Sequence, residues 1–179
     1  MSKRLEEIRD TAISGQYADA LAELEEIIGG RPVHVEALRL KGNILELKAL
    51  NRAQHHAQKL LRSRDYVNAR KCYEEILALE PDNTLALIDL GDHFRNLGAS
   101  TKALDYYERA ISLLSKGRFS WSRKEEIEEA FEHAAGLYTE LGREADGARI
   151  EELRRNLTRQ IRARQARRRS VQRRSVQRR

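Results

Sequence analysis

Apolar and small residues return every three or four positions along most of this chain, and between residues 84 and 117 they do so in two blocks. Leu87, Leu90, Gly91 and Phe94 mark the first block, Gly98 interrupts it, and Ala103, Tyr107 and Ala110 mark the second. That period predicts a helix, a turn and a second helix. Two antiparallel helices approach closely only where side chains are short, so Gly91 and Ala103 are the predicted crossing residues.

The pattern Leu87-x2-Leu90-Gly91-x2-Phe94, followed after the turn by Ala103-x3-Tyr107, resembles the tetratricopeptide repeat family, with Ser115 at the place of its proline. The same order recurs near the N-terminus, where Gly15, Tyr17, Ala20, Leu24, Ile27 and Pro32 align with Gly98, Ser100, Ala103, Tyr107, Ala110 and Ser115. Ile8 falls at the position of Gly91, as in a looser end repeat. A third copy carries Ala69, Tyr73, Ile76 and Pro81 on its second helix.

Its first helix is longer than the repeat allows, because Pro32 and Pro81 are separated by one 34-residue repeat plus fifteen residues. Leu38, Gly42, Leu45, Ala49, Ala53, Ala57 and Leu60 continue at helical spacing with no glycine or proline after Gly42. One helix over about residues 35–62, about 42 Å long, is the expectation. A break with Asn51 as cap is the alternative.

After the helix pair of residues 84–117 comes an irregular stretch, KGRFSWSRKE, in which Ser122 and Glu125 have the spacing of a capping box. Ile127, Ala130, Phe131, Ala134, Ala135, Tyr138 and Leu141 follow on one helical face, ending at Gly142. In the last helix Gly147 takes the alanine position if Gly142 aligns with Gly98, whereas a shift by one residue would select Ala148. Ile150, Leu153, Leu157 and Ile161 form a narrow stripe suited to a capping helix. The expected architecture is therefore all-α: an α-solenoid of antiparallel helix pairs over residues 1–162, closed by a C-terminal capping helix and followed by an arginine-rich tail over 163–179 that is disordered or, at most, a helix formed on binding.

Charge divides the chain at Glu152. Residues 1–152 carry 22 basic and 28 acidic side chains, and the remainder carries 12 arginines and no acid. Arguments about polyanions consequently belong to the tail, where Arg167, Arg168, Arg169, Arg173, Arg174, Arg178 and Arg179 are concentrated. Its expected partners are RNA or DNA, an acidic protein or anionic lipid, each held electrostatically, since no aromatic platforms accompany the arginines. A solubilising end without a partner is the plain alternative.

Chemistry is sparse elsewhere. His34, His55, His56, His93 and His133 are scattered without metal-ligand spacing, no glycine-rich phosphate loop is present, and Cys72 is the sole cysteine. We expect neither enzyme activity nor a cofactor or metal. The charged N-terminus and the lack of a long apolar run predict a cytoplasmic protein with no transmembrane segment.

The family resemblance implies a protein or peptide partner in a concave groove lined by the first helices. On that face it places Leu5, Arg9, Arg39, Asn43, Glu46, Gln54, Gln58, Ile88, Asp92, Arg95 and Asn96. Arg39 and Asn43 have the spacing of a carboxylate-gripping pair found in one subgroup of the family, but His55 replaces its second asparagine and Asp89 its later base, which disfavours that clamp. Phe119 and Trp121 either fold back on the stack or anchor a partner. The expected function is a non-enzymatic scaffold or adaptor with the tail as second attachment. A nucleic-acid-associated protein bound mainly through the tail, and a homo-oligomer assembled through the long helix at Ala53 and Ala57, are the alternatives.

Overall fold

The computed structural model describes residues 2–30, 34–53, 56–116 and 124–177, all of its regular structure being helical. Nine helices are described: α1 (Lys3–Ile13), α2 (Tyr17–Ile28), α3 (Val35–Ala53), α4 (Ala57–Leu61), α5 (Arg64–Leu79), α6 (Thr84–Asn96), α7 (Ser100–Ser115), α8 (Lys124–Glu140) and α9 (Glu144–Gln177). They divide into two compact units, residues 1–113 and 114–179, with the boundary in the last turn of α7.

In the first unit α1 packs on α2, α2 on α3, α3 on α5, and α5 on α6. Small side chains set two close crossings, α3 with α5 and α6 with α7, as the spacing predicted. A Cβ on Gly91 would lie 2.5 Å from Cε1 of Tyr107, and one on Gly42 would lie 2.5 Å from Cε1 of Tyr73. Both rings are buried against the glycine backbone of the preceding helix. Gly42 and Gly91 thus perform one task in two repeats.

The turns repeat as well. The Gly98 amide donates to the Arg95 carbonyl and the Ala99 amide to that of Phe94, and the same pair of bonds closes the turns at Gly15 and Gly142. This closure requires a left-handed residue just past the helix end, which Gly98 supplies with φ +72°. N-caps come from Ser2, Ser63 and Asn83, whose side chains accept from Leu5, Tyr66 and Ala86.

The single helix expected over about 35–62 does not form. It ends at Ala53, and His56 is extended with φ −83° and ψ 110°. The Ala53 carbonyl, which a continuous helix would offer to the Ala57 amide, instead accepts from the His56 amide at 3.1 Å. Burial of Leu60 against Ala49, Ala53 and Tyr66 rewards this reversal, since a straight rod would carry Leu60 away from them. Asn51 is inside α3 rather than at a cap, and its side chain donates to the Tyr17 hydroxyl at 2.6 Å. Fifteen additional residues are therefore stored as two further turns of α3 and the short α4, leaving the Gly42–Tyr73 crossing intact.

In the second unit α8 packs on α9, with Ile127, Ala130, Phe131, Ala134, Leu137 and Tyr138 buried on one helix and Ile150 and Leu157 on the other. Gly147 is buried, with the Ala135 carbonyl 3.4 Å from where its Cβ would be, whereas Ala148 is exposed. Of the two alignments, the one pairing Gly147 with Ala103 is the one realised. The helix then continues to Gln177 through the stretch expected to be disordered from residue 163. No glycine or proline follows Gly147, and alanine, glutamine and arginine are good helix formers that need only extend a helix already nucleated on α8. The capping-box pair Ser122 and Glu125 lies outside the described side chains.

Candidate functional site

Helices α3 and α6 pack together and carry most of the polar residues expected to line the groove. Arg39 on α3 meets Asp89 on α6 through two parallel bonds, Nε to Oδ2 at 2.5 Å and Nη2 to Oδ1 at 2.8 Å. The two side chains are only 12% and 11% exposed, so the pair is largely withdrawn from solvent screening. Arg39 is consequently committed to its neighbour, and its fork is closed to a partner's carboxylate.

Two turns further along both helices, the Asn96 amide donates to Glu46 Oε1 at 3.3 Å. Glu46 is buried, and its Oε2 lies 3.0 Å from the Tyr73 hydroxyl, which is also 3.0 Å from Asn43 Oδ1. One phenolic proton cannot serve both acceptors at once, and the charged carboxylate is the stronger of them. Burial first, and then the charge of Glu46, hold the Tyr73 hydroxyl well above the usual phenol range.

His93 completes this cluster from α6. Its ring is 2% exposed, stacks on Tyr66 with centroids 3.9 Å apart, and sets Nδ1 3.6 Å from Glu46 Oε1. The Tyr66 hydroxyl donates to the His93 carbonyl at 2.7 Å, tying α5 to α6. Burial, followed by the charge of Glu46, raises the Tyr66 pKa. Nothing in the spacing of the five histidines marks His93. The signal was its place two residues after Gly91, on the face that turns toward α3 and α5.

Asp92 accepts from the Tyr107 hydroxyl at 2.6 Å and lies 3.6 Å from the Arg95 guanidinium. Burial and then Asp92 raise the Tyr107 pKa. Asn43, Asp92, Arg95 and Asn96 remain half-exposed, held from beneath by tyrosines of the second helices. Arg9 on α1 and Gln58 on α4 are exposed.

Three of the groove residues expected from sequence are buried instead, Glu46 in the polar cluster above and two in the apolar core. Leu5 and Ile88 are 1% and 3% exposed, and Leu5 packs with Ile8, Ala12, Ala20 and Leu24. A helix position one step away differs by about 100°, which is enough to move a side chain from an open face into the interior. Gln54, Phe119, Trp121, Arg178 and Arg179 lie outside the described residues. Arg167, Arg168, Arg169, Arg173 and Arg174 fall on α9, their backbone helical.

Among the described residues no group of three or more His, Cys, Asp or Glu side chains could hold a metal ion, and no helix is long and apolar enough to cross a membrane. An open depression of about 550 Å³ lies along α7 and the turn before α6, lined by Pro81, Asp82, Asp105, Glu108, Arg109, Ser112 and Leu113.

The tetratricopeptide repeat family model matches residues 13–53 and 56–120. Among solved structures, one of MamA from MSR-1 is 18% identical, covering 87% of this chain and 95% of that one with a TM-score of 0.42. A second MamA crystal structure is 14% identical, with 85% and 94% covered and a TM-score of 0.46. A third, of MamA from AMB-1, is 17% identical, with 86% and 89% covered and a TM-score of 0.41. No curated protein matches the chain.

Proposed function

This chain belongs to the tetratricopeptide repeat family, and from that premise we propose that it is a protein-interaction scaffold that holds an extended peptide across α3 and α6. The observation that carries the reading is the row Asn43, Asp92, Arg95 and Asn96, half-exposed, with Asp92 and Asn96 preset by Tyr107 and Glu46 and Arg95 beside Asp92. Asparagine amides can donate to and accept from a peptide backbone, and side chains already fixed by buried partners lose little freedom on binding.

The charges on this face are largely cancelled internally. Arg39 is matched by Asp89 and Arg95 lies beside Asp92, so the preferred ligand is a peptide recognised by its backbone and not by a terminal carboxylate. The arginine-rich end of α9 supplies a second, electrostatic attachment.

The test is selection of peptides from a random display library on the full chain, followed by calorimetric titration of the winners against Asn43→Ala/Arg95→Ala. Loss of at least about tenfold in affinity with an unchanged fold supports the reading. Peptides that bind the double variant as tightly as the parent overturn it.

A further inference from the structure

Helix α9 is 34 residues long and α8 is 17, so half of α9 runs past the helix it packs against. Along the packed half, Ile150 and Leu157 are buried while Arg155, Arg159 and Arg162 are exposed on the opposite side. At 100° per residue the same side continues through positions 169 and 173, both arginine. In the projecting half, positions 164, 167, 168 and 174, also arginine, fall at other angles about the helix axis. The helix thus changes from a one-sided basic rail into a rod with arginine positions all round its axis.

We propose that this projecting half of α9 is a duplex-DNA-binding element that lies in the major groove. The distribution of charge separates the candidate polyanions. An acidic protein surface neutralises one side of a rod and leaves the others repelling one another, while a groove walled by two phosphate backbones meets arginines on several sides at once. Membrane binding needs an apolar face, and residues 162–177 offer only Ala163, Ala166, Val171 and Val176 as aliphatic positions. Single strands are gripped by stacking on aromatics, of which α9 has none. B-form DNA admits an α-helix in its major groove, whereas the groove of duplex RNA is too narrow for one. The span from Arg162 to Gln177 is about 23 Å, equivalent to about seven base pairs.

The test is fluorescence anisotropy of the full chain with a labelled 16-base-pair DNA duplex, run beside an RNA duplex of the same sequence and phosphatidylserine vesicles. Affinity for the DNA should fall at least about 100-fold between 50 and 200 mM salt, as neutralising four or more phosphates requires. It should exceed affinity for the RNA by about tenfold or more at either salt. Ala166→Pro keeps every charge and breaks the helix beyond its packed half, so it should weaken DNA binding by about tenfold or more while leaving the melting temperature unchanged. Arg164→Gln/Arg167→Gln/Arg168→Gln should weaken it without loss of helix content by circular dichroism. Equal binding of the two duplexes, full affinity in Ala166→Pro, or tighter binding to vesicles would each overturn the proposal. These variants lie outside the peptide face on α3 and α6, so this inference and the scaffold reading fail separately.

Discussion

The ring of Tyr107 occupies the space that a side chain on Gly91 would need, its Cε1 only 2.5 Å from the ideal Cβ position. Gly91→Ala should therefore destabilise the protein by about 1–3 kcal/mol despite alanine's better helix propensity, because a fully buried ring between two helices has nowhere to retreat. Chemical denaturation measures this. The double variant Gly91→Ala/Tyr107→Leu should show a favourable coupling relative to the sum of the single changes.

Gly147 provides the contrast. Its nearest neighbours would be 3.4 to 3.7 Å from an added Cβ, ordinary contact distances apart from the closest. Gly147→Ala should be neutral or stabilise by up to about 1 kcal/mol, measured as an unchanged or raised melting temperature.

Asp89→Asn leaves the Arg39 guanidinium half-paired in a site that admits little water. The expected loss is about 2–4 kcal/mol by urea denaturation, while Arg39→Leu/Asp89→Leu should cost less than either single replacement. A double variant as unstable as the sum of the singles would mean that the two side chains are not energetically coupled.

Alkaline pH should unfold the chain through its tyrosines. The pKa values of Tyr66, Tyr73 and Tyr107 are raised, chiefly by burial, so the folded state holds these protons more tightly than the unfolded one. Their contribution is fully present below a pH of about 10, the ordinary phenol value, and is lost progressively as pH rises above it. Absorbance at 295 nm should thus show Tyr66, Tyr73 and Tyr107 failing to ionise at pH 11 until urea is added.

Burial also pushes the Cys72 thiol up to about 11, with Lys41 opposing the shift. At pH 8 its reaction with a disulfide reagent should be at least about 100-fold slower than in urea, since both the thiolate and access to it are suppressed. A rate near that of the unfolded chain would show that α5 opens readily.

Much of this was readable in advance. Gly91, Ala103 and Gly98 reported a close crossing and a turn because those demands leave few other residues acceptable. The end of α3 at Ala53 was not readable, for it depends on where Leu60 finds burial and no local residue forbids the helix from continuing. Nor could Arg39 be assigned its partner from one repeat alone. Arg39 and Asp89 are 50 residues apart, one more than the 49 that relate the crossing glycines of adjacent repeats, so the pairing appears only once α3 and α6 are known to be neighbours. Leu5 and Ile88 show the limit of assigning faces by period, where a single step decides between surface and core. The arginine-rich end reads two ways: charge suggests disorder, whereas propensity and a preformed helix end favour the continuation of α9 to Gln177.

Arg39 to Asp89 and Glu46 to Asn96 are ties of identical spacing on the same two rods. In a repeat array each unit contacts only its neighbours, and packed helices can yield by sliding past one another. Here any glide would stretch both ties together, and that stretch of the coil should be stiff, with elasticity left to segments lacking such a latch.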